Sequence, residues 1–148
     1  MRKTFVMRGQ TASGGTEVLN FSGYKPGYAY RITEFSLYPS TSIAGNNDEL
    51  YGTVTAGKTA VSPIDPDFNN EGLIATTNTV TSSGWGGNMP FNGSVINDTF
   101  LITQNLILMV QNEAGGEPIN WQCRFVSEKM SGAEEAAVNY KQFAISDE

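Results

Sequence analysis

The sequence contains no histidine and a single cysteine, Cys123. Without histidine there is no imidazole general base, no Ser-His-Asp triad, and none of the commonest transition-metal ligand. One cysteine excludes an internal disulfide and a thiolate zinc cage. Set between Gln122 and Arg124 in a strand-like segment, Cys123 reads as an inert buried thiol without a base to activate it. Charge is also scarce, at 16% of residues, and the balance is acidic, with a net charge of −6. A phosphate-binding face depends on clustered Lys and Arg, so nucleic acid is not an expected partner. Long apolar runs are missing too. The longest, Leu106 to Val110, is far too short to span a bilayer, and no membrane attachment is expected. Residues 1–8 carry charge but neither an apolar stretch nor a small-residue cleavage pattern, so no secretion signal is expected.

What remains is rich in Gly, Ser, Thr and Asn, which favours turns and pleated strands over long helices. The 148 residues suit one domain, residues 1–148, large enough to bury a core without a disulfide or metal. Turn signals recur at Gly14-Gly15, Pro26-Gly27, Pro39, Gly45 to Asp48, Ala56-Gly57, Pro63 to Gly72, Ser82 to Gly93 and Ala114 to Pro118. Between them lie strand-like segments at Thr4 to Arg8, Thr16 to Phe21, Tyr28 to Tyr38, Glu49 to Thr55, Gly72 to Thr77, Asp98 to Thr103, Leu106 to Asn112 and Ile119 to Glu128. About eight such strands predict an all-β, jelly-roll-like β-sandwich. Tyr28, Tyr30 and Ile32 alternate with Ala29, Arg31 and Thr33, whereas Phe35 and Leu37 fall on the other parity. That switch predicts a bulge near Glu34. Leu106 to Val110 does not alternate and should be a central strand or lie beneath another subunit. Trp121 and Phe125 should share one side of their strand. Only the C-terminal part looks helical, at about 132–143, opened by a capping box from Ser131 to Glu134. Its stripe of Ala133, Ala136, Ala137 and Tyr140 is expected to dock on the chain's own sandwich or on a partner.

Several motifs carry chemistry only on paper. Gly52 to Thr59 fits GxxxxGK[ST], but Pro63 and Pro66 follow where a phosphate-binding helix would have to start, so a strand leading into a turn is expected. Asp65 to Gly72 alternates oxygen side chains as calcium loops do, yet its glycine comes late and Thr76 stands where a bidentate Glu belongs. A solvated acidic turn is expected there, and no metal or other cofactor. Paired carboxylates can hydrolyse glycosides without histidine, but the acids are scattered over turns and the tail. Asn20, Asn92 and Asn97 begin N-x-[ST] triplets, which matter only in a secreted chain. One loop stands apart. Gly84-Trp85-Gly86-Gly87-Asn88-Met89-Pro90-Phe91 mounts three large apolar side chains on a Gly-rich scaffold. They either fold over the end of the sandwich, anchor another chain, or offer a stacking platform to a sugar.

Several phrases together resemble small structural proteins of tailed bacteriophages, particularly marine ones. They are Met1-Arg2-Lys3-Thr4, Tyr30-Arg31-Ile32 with Phe35, Asn97 to Ile102, Ile119-Asn120-Trp121, and Ser131 to Ala137. The chain departs from that pattern in its acidic close, Ser146-Asp147-Glu148, and in the Trp85 loop. The resemblance implies a β-sandwich component of the virion and not an enzyme. It makes the expected function that of a capsid decoration or other surface component, bound to the major capsid protein or to neighbouring subunits. A closed homo-oligomer is expected, with a trimer the first choice. Trp85, Met89, Phe91, Ala137, Tyr140 and Phe143 are the candidate contact residues. The alternative is a carbohydrate-binding module for host attachment, which predicts an exposed Trp or Tyr beside Asn and Asp. A small hydrolase would instead need two carboxylates across one cleft.

Overall fold

A computed structural model of the chain describes residues 3–21, 27–41, 47–57, 59–81 and 91–146. Within them the strands are β1 (Lys3–Thr11), β2 (Thr16–Leu19), β3 (Tyr28–Pro39), β4 (Asp48–Ala56), β5 (Leu73–Thr81), β6 (Phe91–Ile96), β7 (Leu106–Asn112) and β8 (Ile119–Lys129). One helix, α1 (Gly132–Ser146), follows. The strands form two sheets, ordered β1-β8-β3 and β2-β7-β4-β5-β6, with every pairing antiparallel. The chain crosses between sheets from β1 to β2, β2 to β3, β3 to β4 and β7 to β8, which gives the jelly-roll-like sandwich that the strand spacing predicts.

Alternation sets the inner face of β8, whereas β4 is buried without a break from Gly52 to Ala56. Along β8, Ile119, Trp121, Cys123 and Phe125 are buried while Asn120, Gln122, Arg124 and Val126 are half-exposed. β3 changes parity where its register against β8 shifts between Ile32 and Glu34. The bulge brings both Ile32 and Phe35 into the core, although they stand three positions apart, an odd step that would otherwise put them on opposite faces. β7 is central, between β2 and β4. Its Leu106, Leu108 and Val110 are buried, while Ile107 and Met109 on the other face are only half-buried.

The sixth strand is displaced from where the spacing puts it. Asp98 to Thr103 supplies only an isolated bridge, Tyr30 to Ile102, while residues 91–96 form β6. The physical reason is local. Asn97 closes a turn, its side-chain oxygen accepting from the Thr99 amide and hydroxyl, so the chain cannot stay extended there. The Asn-Gly-Ser stretch of β6 looks like a turn in sequence but is held as a strand by β5. Asn78 Oδ1 accepts from the Gly93 amide at 2.9 Å, and the Thr77 hydroxyl donates to the Gly93 carbonyl at 3.1 Å.

The antiparallel register gives the sandwich two unlike ends. At the helix end, the aromatic rings of Phe5, Phe21, Tyr30 and Phe125 pack together, with Phe5 and Phe125 centred 5.5 Å apart and Phe21 edge-on to Phe125 at 5.2 Å. Such pairs add about 0.5–1.5 kcal/mol each beyond the area they bury. At the loop end, polar groups knit the connections. Asn112 Oδ1 accepts from the amides of Glu49, Ala114 and Gly115, while its Nδ2 donates to buried Asp48 at 3.0 Å. Trp121 Nε1 donates to the Thr11 hydroxyl at 2.9 Å.

The capping box forms as read: the Glu134 amide donates to Ser131 Oγ, and the Ser131 amide to Glu134 Oε1. The helix is longer than predicted and docks differently. Ala133, Ala136, Ala137 and Tyr140 face water, and among the described side chains of the helix Ile145 in the last turn is the buried one, beside Gly57 and Gly72. The alanine stripe therefore does not pack on the chain's own sandwich: three methyl groups offer little apolar area, whereas one isoleucine fills a gap between two glycine-bearing turns.

Candidate functional site

The most structured surface is the outer face of the three-stranded sheet, where the register lines side chains into rows. From the loop end these run Gln10–Asn120–Tyr38, then Arg8–Gln122–Ser36, then Val6–Arg124–Glu34, then Thr4–Val126–Arg31. Neighbours in a row sit on strands about 4.8 Å apart, so their side chains stand side by side.

The rows nearest the helix end are charge-paired. Arg31 meets the Glu128 carboxylate at 2.7 Å, and Arg124 meets Glu34 at 3.2 Å. The rows nearest the loop end are different. There Arg8, Ser36, Tyr38, Asn120 and Gln122 line a shallow open depression of about 530 Å3. No carboxylate is among its lining residues. The Asn120 amide is clamped, accepting from Gln10 Nε2 at 3.0 Å and donating to the Pro39 carbonyl at 3.3 Å. The Tyr38 ring is 62% exposed. Beneath, the Trp121 ring presses on Gly9 so closely that a Cβ there would lie 2.9 Å from the indole. Only glycine leaves room for that ring, and the hydrogen bond from Nε1 to Thr11 holds the same edge of the indole.

A second surface belongs to the helix end. A shallow recess of about 170 Å3 is lined in part by Phe68, Leu73 and Val95. Phe68 and Val95 are well exposed, as are Ile64, Val18 and Tyr140. Val18 and Val95 lie on the two opposite edge strands of the five-stranded sheet, β2 and β6.

The contact residues read from the sequence divide. Trp85 and Met89 lie outside the described residues. Phe91 opens β6, but its side chain, like that of Phe143, also lies outside them. Ala137 is exposed and Tyr140 is 78% exposed. Thr81, the last described residue of β5, pairs with Asp48 at the loop end, whereas α1 stands at the helix end.

The tempting motifs resolve into turns and strands. Gly52 to Ala56 is the second half of β4, and no helix follows it. In the acidic turn, Asp67 Oδ1 accepts from the Asn69 amide and Asn70 Oδ1 from the Gly72 amide, so both oxygens close turns. Among the described residues no group of three or more His, Cys, Asp or Glu side chains could hold a metal ion. Cys123 is fully buried, and desolvation pushes its thiol up. Burial first, then Glu49 and Glu113, raises the Tyr51 hydroxyl. No described helix is long and apolar enough to cross a membrane.

Sequence reasoning missed Arg8, Ser36, Tyr38, Asn120 and Gln122. A signal existed, because each has the parity opposite to its strand's core residues. Parity says which residues share a face of one strand, but it does not say which strands adjoin.

Compared with known proteins, the chain matches no protein-family model and no curated protein.

Proposed function

We propose that this chain is a virion structural protein, a capsid decoration or other surface component that works through protein–protein contacts. The observation that carries the reading is the helix end. Val18, Ile64, Phe68, Val95 and Tyr140 are left in water, on a chain poor in charge. Phe68 and Val95 share one recess, and apolar side chains left exposed together favour a docking surface over a free one. The jelly-roll-like sandwich supports the same reading, since that architecture serves viral capsid and lectin domains, as does the resemblance to tailed-phage structural proteins. The chain would act by burying its helix end against the shell or against symmetry mates, adding stability to the assembled state by mass action. A closed homo-oligomer, a trimer first, fits such a role. The −6 net charge keeps the chain off packaged DNA.

The test is co-sedimentation with DNA-filled particles through a density gradient, quantified as copies per particle. A high copy number compatible with shell symmetry supports decoration, and a few copies would assign the chain to the tail or a vertex. Absence from every particle fraction overturns the proposal.

A further inference from the structure

We infer that the depression on the outer face of the β1-β8-β3 sheet binds a carboxylate-bearing saccharide, through Arg8 and Tyr38. The argument starts from the arginines of that face. Arg31 and Arg124 each have a carboxylate partner. Arg8 forms no ion pair or side-chain hydrogen bond with any described residue, although it lies two positions from Val6 in the row of Arg124 and Glu34. A lone guanidinium in a depression without carboxylates is locally complementary to an incoming anion, although the net charge of −6 opposes anions at longer range. Its planar fork matches a carboxylate with two parallel hydrogen bonds.

The rest of the lining has the chemistry of a sugar site. Ser36 and Gln122, beside Arg8 in the same row, likewise spend no side-chain hydrogen bond on a described residue. They offer donors and acceptors to hydroxyls across about two strand spacings. Asn120 in the next row is already clamped, so it presents a fixed amide and loses little freedom on binding. Tyr38 supplies an exposed ring on which the apolar face of a pyranose can lie. A depression of about 530 Å3 lies within the range of small-ligand sites. A protein partner fits this patch less well, because protein hot spots are buried apolar or aromatic anchors ringed by neutral contacts. Here the only large exposed apolar surface is Tyr38. The site also differs from a calcium-dependent one, since no acid in it could hold the ion.

The inference stands whether or not the chain is carried on a particle, so it can fail independently of the virion reading. It is tested by calorimetric titration of the full chain with oligogalacturonate, oligoglucuronate and sialyllactose, each beside its neutral counterpart, with and without EDTA. At least one acidic sugar should bind more tightly than its neutral counterpart, unaffected by EDTA and weakened by salt. Arg8→Gln should erase that preference, Tyr38→Ala should weaken binding about tenfold or more, and Tyr38→Phe should retain most of it. Unchanged circular dichroism of the variants separates lost binding from lost folding. If no acidic sugar is preferred, or if the preference survives Arg8→Gln, the inference is overturned. It is equally overturned if the substitutions change copies per particle while no sugar binds, which would make the patch a protein contact.

Discussion

The two ends of the sandwich share one apolar core, which reaches Leu50, Ile119 and Trp121 near the loop end, but differ in what is added to it. At the helix end, four aromatic rings cluster in the interior, and Phe68 and Val95 remain exposed in a shallow recess. At the loop end, an asparagine with four side-chain hydrogen bonds holds the connections, and a polar depression opens on the outer sheet. Apolar packing is non-directional, so it anchors a fold and can also be shared with a neighbouring surface. Hydrogen bonds are directional, so they fix groups in one geometry, which recognition of a small polar ligand requires. On the proposed reading, attachment falls to the helix end while the polar loop end is left to select a ligand.

The strongest blow to this contrast is Phe125→Ala. The ring is fully buried and touches both Phe5 and Phe21, so its loss should cost about 3–5 kcal/mol in a urea unfolding curve. A cost near that of an ordinary surface change would mean that the helix end does not anchor the fold. Asn112→Ala tests the other end and should cost about 1–3 kcal/mol. The amides of Ala114 and Gly115 can turn to water, because those residues are exposed, but Asp48 is buried and loses its partner. Equal costs for the two substitutions would erase the distinction. Ser131→Ala should have the smallest effect, about 0.5–1 kcal/mol, read as reduced helical circular dichroism with the sandwich's unfolding midpoint nearly unchanged. A large fall in that midpoint would show that α1 is bound into the core more firmly than one buried isoleucine suggests.

The outer face of the three-stranded sheet repeats the contrast on a smaller scale. Two arginines near the helix end are neutralised by carboxylates, while Arg8 near the loop end is not. Surface ion pairs add at most about 1 kcal/mol each, so their value here lies less in stability than in leaving Arg8 the one unpaired cation among the described residues of that face.

Local pattern alone carried much of the fold. Alternation along β8, the parity switch at Glu34 and the capping box at Ser131 were legible because each depends on residues near in sequence, whose geometry the backbone period fixes. The sixth strand was misplaced because β6 owes its extended form to hydrogen bonds with Asn78 and Thr77, which no local propensity records. The alanine stripe was readable as a helical face, but whether anything covers it was not, since that depends on where the helix leaves the sheet. The depression shows the limit most clearly. Arg8, Ser36 and Gln122 are separated by 28 and 86 positions in the chain, and each alone is an ordinary polar residue on an exposed face. Composition excluded histidine chemistry, and periodicity set which side of each strand faces the core. Only the pairing of β1, β8 and β3 put those three side chains in one row, because strand adjacency is decided by long-range backbone hydrogen bonding and core burial, not by the residues that end up exposed.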